Sequence, residues 1–133
     1  MLKHTREGTR STFTQLLHSA RDAQDFAPFV SHLKTLSPAA ADIEIRSLSV
    51  ENEELVAFVQ ALSWLMNQRH DFELGQAWMA VFLRVHGDVA AGDGELRRAV
   101  EEWKDALAAE RQRVQRLAGY CSGLVGYLRA ARV

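Results

Sequence analysis

The sequence predicts an all-α fold, and three observations carry that prediction. Apolar residues recur every three to four positions along most of the chain. No alternating run of β-branched residues bounded by turns occurs anywhere. The chain holds two prolines, Pro28 and Pro38, and both stand where a helix can begin. The periodicity divides the 133 residues into helices joined by short loops. About six helices are expected, packed as antiparallel hairpins in a helical bundle or a short α-solenoid, with a long C-terminal helix. No fixed internal period marks a named repeat class.

The first helix is expected from near Thr9 to Arg21, with Phe13, Leu16, Leu17 and Ala20 on one side. Asp25 is placed to cap the second, whose apolar stripe is Phe26, Phe29, Val30 and Leu33. Ser37-Pro38 is a start signal for the third, with serine as N-cap and proline at the first helical position. Ile43, Ile45 and Leu48 are its apolar residues. The fourth is expected from about Val50 to Arg69, using Leu55, Val56, Phe58, Val59, Leu62, Leu65 and Met66.

The fifth helix covers DFELGQAWMAVFLRVHGDV, residues Asp71 to Val89. Asp71 can accept backbone N–H bonds from the first turn, and Glu73 suits the positive end of the helix dipole. Phe72, Gln76, Met79 and Leu83 form one stripe; Leu74, Trp78, Val81, Phe82 and Val85 form an adjoining one. Such a helix is apolar around most of its circumference and belongs between neighbours. Gly87 is the natural stop, with His86 at the negative end of the dipole. Gly75, inside the helix, costs about 1 kcal/mol relative to alanine; it reads either as a place where another helix crosses closely or as a tolerated defect.

After the loop GDVAAGDG, Asp93 or Gly94 opens the last segment. Leu96, Val100, Trp103, Leu107, Val114, Leu117, Cys121, Leu124 and Leu128 keep a 3–4 spacing that only Glu110 interrupts. Two readings fit. One is a long helix used for pairing, with this stripe as the seam of a homodimer. In the other, Gly119 breaks the segment into two helices that pack back on one core. Gly119, Gly123 and Gly126 all weaken a helix and tilt the reading toward the break.

Length and composition describe one globular domain spanning residues 1–133. About two-thirds of its unfolded surface can be buried. Apolar residues make up 47% and charged residues 25%, a balance that is not that of a disordered chain. The abrupt opening MLKHTREGTRSTF reads as the edge of a longer polypeptide. No apolar run of about 18 residues and no secretory leader is present, so no membrane partner is expected.

Net charge is −1 but unevenly spread. Residues 35–95 hold three Lys/Arg against ten Asp/Glu, whereas residues 96–133 hold eight against four. The acidic middle argues against a nucleic-acid groove there. Arg111, Arg113 and Arg116, in the basic end, could contact RNA phosphate; local Glu–Arg pairing on a solvated face is the simpler reading.

The sequence carries little that reads as catalytic chemistry. His4, His18, His32, His70 and His86 show no metal-ligand spacing with one another or with Cys121, and there is no HExxH. They read as surface or capping residues. Cys121 is the single cysteine, which excludes an internal disulfide, and on an apolar stripe it reads as a small buried hydrophobe. Gly87, Gly92 and Gly94 form neither GxGxxG nor a phosphate-binding loop. The adjacent acids Glu53-Glu54 and Glu101-Glu102 point apart on a helix and read as first-turn or exposed charges. No cofactor, metal or small-molecule substrate is expected, and the chain does not read as an enzyme. Binding surface remains: Trp64, Trp78 and Trp103 could anchor a partner, although core packing suits each better. Asp42, Glu44 and Arg46 offer a polar edge for a protein contact.

Two blocks add a resemblance. SPAAADIEIRSLS (residues 37–49) and RHDFELGQAWMAVFLRVHGDV (residues 69–89) resemble the C-terminal domain of the UTP twenty-one family of WD-repeat proteins, known in animals as WD-repeat protein thirty-six. The likeness runs from about residue 29 to residue 89, and it departs where Gly75 stands in place of a branched apolar residue. The resemblance implies a non-catalytic protein–protein interaction or scaffold domain in the small-subunit processome. That assembly belongs to the U-three small nucleolar ribonucleoprotein and acts in pre-rRNA processing and 40S ribosomal subunit biogenesis. The implied partners are other WD-repeat subunits of the UTP-B subcomplex, met through their C-terminal helical domains, with pre-rRNA or snoRNA touched indirectly or weakly. The implied location is the nucleus and nucleolus. Under this reading Asp42, Glu44, Arg46 and Trp103 are the candidate partner-binding residues. An RNA-contacting module built on Arg111, Arg113 and Arg116, or a homodimerisation domain, stands as the alternative.

Overall fold

A computed structural model describes residues 11–49 and 53–131. The described residues form six helices and no strand: α1 Thr12–Ala23, α2 Ala27–Thr35, α3 Pro38–Arg46, α4 Glu54–Asn67, α5 Phe72–Gly92 and α6 Gly94–Ala131. The all-α expectation and the order of helices hold. Thr9 and Val50, where α1 and α4 were expected to begin, lie outside the described residues.

α4 is the helix around which the others pack; it touches α1, α2, α5 and α6, while α3 packs against α5. Its sequence accounts for that position. Leu55, Ala57, Phe58, Val59, Ala61, Leu62, Leu65 and Met66 are all buried, so apolar side chains face outward in several directions at once. An aromatic chain runs through the core. Phe13 of α1 meets Phe29 of α2 edge to face at 5.0 Å, Phe29 meets Phe58 of α4 at 6.1 Å, and Phe58 stacks on Phe82 of α5 at 5.5 Å. Such pairs add about 0.5–1.5 kcal/mol each beyond their buried area. Phe82 continues the chain to His86 at 5.2 Å.

Helix starts follow the local chemistry unevenly. Ser37 caps α3 as expected, accepting from the Ala40 N–H at 3.2 Å, with Pro38 at the first position. Ser11 caps α1 in the same way through the Thr14 N–H. Asp25 sits one residue outside the N-cap of α2, which is Phe26, yet its Oδ1 accepts from the Ala27 N–H at 3.2 Å. Asp71 does not cap α5 with its side chain. It adopts a left-handed backbone conformation (φ 57°), and its carboxylate is taken by Lys34 and His70 instead.

Two further expectations are corrected. Gly87 does not stop α5; the helix continues to Gly92. Val89 and Ala90 extend the apolar side onto the core, and that packing outweighs a glycine's tendency to end a helix. α6 is not broken at Gly119. It runs 38 residues, about 57 Å at 1.5 Å per residue, and carries all three glycines inside it. Leu96, Ala99, Val100 and Trp103 are buried where α6 lies along α4. α4 ends at Asn67, and α6 goes on without it. Every side chain from Val114 to Ala130 is exposed, so the second half does not fold back on the core.

Gly75 meets α4 at ordinary van der Waals range: a Cβ there would lie 3.6 Å from Leu65 Cδ2. The approach is close but leaves room for a methyl group.

Candidate interaction surface

The residues singled out in the sequence fall into separate places. Asp42 and Arg46, one turn apart on α3, pair with each other at 2.9 Å. Glu44 points elsewhere and accepts a hydrogen bond from Ser11 Oγ at 3.0 Å, so it ties α3 to the start of α1. Asp42 borders a mainly apolar cleft of about 200 Å³ between α3 and α5, lined also by Leu36, Ala41, Leu74, Trp78 and Val81. Lys34, at the rim of that cleft, bonds the Asp71 carboxylate. With the second contact from His70, Lys34 holds Asp71 below the usual carboxylate range.

Trp103 lies in the core rather than on a surface, only 6% exposed, and its Nε1 has no hydrogen-bond partner. Its apolar neighbours draw the ring inward. Trp78 is buried and Trp64 is half-buried against the same core.

Arg111, Arg113 and Arg116 do not share one face. At roughly 100° per residue, Arg113 and Arg116 lie on adjoining sides of α6 and Arg111 lies across from both. Arg113 grips Glu110, with Nε 3.1 Å from each carboxylate oxygen. That contact lowers the Glu110 pKa and raises that of Arg113. Glu110 sits in the α4–α6 seam with Arg69 of the α4–α5 turn nearby. Local Glu–Arg pairing therefore describes Arg113. Arg111 and Arg116 make no ion pair among the described residues and are exposed.

Several polar residues that read as surface groups are internal. Glu54 is buried; it bonds His18 Nε2 at 2.9 Å and accepts from the Ser49 N–H at 2.7 Å. His86 is buried, and its Nε2 donates to the Ile45 carbonyl at 2.8 Å, joining α5 to α3. A buried carboxylate and a buried imidazole each need such partners. Their sequence positions, inside otherwise apolar stripes, were the available signal. Cys121, in contrast, is exposed. Its stripe is apolar, but no neighbouring helix covers it. No group of three or more potential metal ligands occurs among the described residues.

Among the described residues, most of the exposed large apolar side chains are on α6 itself. Val114, Leu117, Leu124 and Leu128 are each about half exposed, and Tyr120 and Tyr127 are 71% and 70% exposed. These residues continue the 3–4 spacing of Leu96, Val100 and Trp103, so one seam is buried on α4 in its first half and open in its second. The tyrosines widen it beyond a two-residue stripe. A scattered apolar residue on a surface is ordinary; a contiguous set along about four turns of one helix is the kind of surface that interaction faces present.

The fold and this face define a class: an all-α bundle with a projecting helix whose apolar side is open to solvent. By sequence, the chain belongs to the Utp21 family. The family described as "Utp21 specific WD40 associated putative domain" matches residues 1–129. The chain is similar to the U3 small nucleolar RNA-associated protein 21 homolog of Schizosaccharomyces pombe, 35% identical over 125 residues, covering 88% of this chain and 13% of that protein. It is 30% identical over 131 residues to the U3 small nucleolar RNA-associated protein 21 of Saccharomyces cerevisiae, covering 95% of this chain and 14% of that one. It is 25% identical over 103 residues to the human WD repeat-containing protein 36, covering 74% of this chain and 12% of that protein. The chain thus spans about one-eighth of the length of these relatives. The resemblance read from two blocks extends over most of the sequence.

Proposed function

We propose that this chain is the C-terminal helical domain of a WD-repeat protein of the small-subunit processome. Its role is non-catalytic: it joins subunits within the U3 small nucleolar ribonucleoprotein during pre-rRNA processing and 40S subunit biogenesis, in the nucleolus. Its partners are the C-terminal helical domains of other WD-repeat subunits of the UTP-B subcomplex. Family membership supports the ribosome-biogenesis part, since the yeast relatives are named for association with U3 small nucleolar RNA. The observation that carries the scaffold part is the open apolar face of α6. A helix with that face suits burial against another chain. The polar edge of Asp42 and Arg46 beside the α3–α5 cleft is a second, smaller contact surface.

The test is co-expression of this chain with the C-terminal domains of the other UTP-B WD-repeat subunits, with masses from light scattering. A stoichiometric complex is expected. If none forms and the chain remains a monomer, the subunit-joining role belongs to another part of the full-length protein. RNA contact then becomes the reading to pursue, through binding at low salt and its loss when Arg111, Arg113 and Arg116 are neutralised together.

A further inference from the structure

We infer that the outer half of α6, residues 111–131, docks a helical surface of another chain whose edges are acidic, and that the partner is not a second copy of this chain. The inference rests on the scaffold reading above and adds the face and the chemistry of the partner.

The seam supplies the first argument. Leu96, Val100 and Trp103 bury against α4, and the same register continues through Val114, Leu117, Leu124 and Leu128 after α4 has ended at Asn67. A docked helix would therefore extend a packing arrangement the fold already uses. Tyr120 and Tyr127 flank the seam and broaden it. A seam of only two positions per heptad suits a two-stranded coil, whereas a broader face suits a bundle. The occupant that fits is a helical pair or a bundle edge, with tyrosine hydroxyls at the wet margin.

Charge supplies the second. Residues 111–131 contain four arginines and no acidic residue. Arg113 is matched by Glu110, but Arg111, Arg116 and Arg129 are exposed along the margins. Self-pairing of this segment, parallel or antiparallel, offers its arginines no acidic residue and brings like charges together across the interface, which is unfavourable. A partner with Glu or Asp at its helix edges gains where a second copy loses.

Helix stability supplies the third. A methyl group at Gly119, Gly123 or Gly126 would meet nothing within 4 Å beyond its own helix backbone, so no close crossing requires these glycines. Each costs the helix about 1 kcal/mol relative to alanine. A helical segment with three such residues and no tertiary cover is marginal alone, and a docked partner would order it.

The test uses the whole chain and two synthetic helical peptides of four heptads. Both carry Leu at the a and d positions; one has Glu and the other Lys at e and g. Binding is read by fluorescence anisotropy, and ordering by amide hydrogen exchange of residues 114–131. The Glu-edged peptide is expected to bind at least about tenfold more tightly at low salt and to slow exchange across the segment. The triple variant Arg111→Glu, Arg116→Glu, Arg129→Glu should reverse the preference. Leu117→Asp with Leu124→Asp, both at exposed positions, should abolish binding while circular dichroism shows an intact core. Equal binding of the two peptides, or none of either, overturns the inference, as does a concentration-dependent dimer of the chain alone. The same Leu117→Asp, Leu124→Asp variant enters the co-expression experiment. If it still joins a UTP-B subunit, the scaffold reading stands and the assignment of this face falls. If wild type joins no subunit yet prefers the Glu-edged peptide, the face stands and the proposed complex falls.

Discussion

Trp103 is an indole whose N–H is buried without a partner, a condition that costs about 1–3 kcal/mol. Removing the N–H while keeping an aromatic ring should therefore do little harm. Trp103→Phe is expected to change stability by less than about 1.5 kcal/mol, since the lost area and the relieved donor oppose each other. Trp103→Ala should cost about 3–5 kcal/mol. Urea midpoints of the two variants decide it; a loss for Trp103→Phe well above about 1.5 kcal/mol would show that relieving the indole N–H returns nothing. Asp71 behaves differently. Lys34 first, and His70 second, stabilise its ionised form, so its folded pKa lies below the ordinary value of 3.8. A depressed carboxylate pKa contributes stability that is complete above the unfolded pKa and disappears as pH falls through the folded one. Asp71→Asn should thus be less stable than wild type near neutral pH, and the difference should close as pH falls below the ordinary carboxylate range. Denaturation midpoints across that range check the sign. A gap that stays constant would mean the carboxylate is no better placed folded than unfolded. The charged pair is half exposed, and added salt should shrink the gap as well.

At the level of elements, what could be read from sequence was periodicity, and what could not was tertiary cover. The helix order, the Ser37-Pro38 start and the buried residues of α4 follow from local pattern. Gly87 reads as a stop only because the pattern does not reveal that Ala90 still reaches the core. Asp71 reads as a cap because Lys34, 37 positions away in sequence, cannot be anticipated as its partner. Glu54 and His86 read as surface groups for the same reason: Ser49, His18 and the Ile45 carbonyl are supplied by other parts of the chain. The seam of α6 was visible as spacing, but spacing cannot tell a core stripe from an open one. The glycines in α6 give the element-scale prediction. With nothing near their Cβ positions, replacing Gly119, Gly123 and Gly126 by alanine should be free of clashes and should firm the helix. The gain is about 0.5–1 kcal/mol per site in helix propensity. The check is amide exchange in residues 114–131, which should slow in the triple variant, with mean-residue ellipticity rising and the urea midpoint of the core unchanged. If exchange stays as fast as in wild type, the glycines are not what limits this helix.

The whole molecule divides energetically at the point where α4 ends. Everything before it shares one apolar cluster, from Phe13 on α1 to Trp103 on α6, knit by the aromatic chain through Phe29, Phe58 and Phe82. Beyond Glu110, α6 contributes no buried side chain among the described residues. Folding and the docking proposed above are therefore separable in one helix, and truncation should separate them. A chain ending at Arg113 keeps Leu96, Ala99, Val100, Trp103 and the Glu110–Arg113 pair, and so keeps every contact that α6 makes with the core. Its melting temperature should fall by less than about 5 °C, the equivalent of roughly 1 kcal/mol or less. A chain ending at Asp93 loses Leu96, Val100 and Trp103 together, at about 1.5–3 kcal/mol for each large apolar side chain. It also leaves the α6-facing side of α4 in water. Against a total stability of about 5–15 kcal/mol, that loss should abolish the cooperative transition. Scanning calorimetry of the two truncations distinguishes them. A large fall for the chain ending at Arg113 would mean that the outer half of α6 supports the core, and its apolar face would then have a partner within this chain.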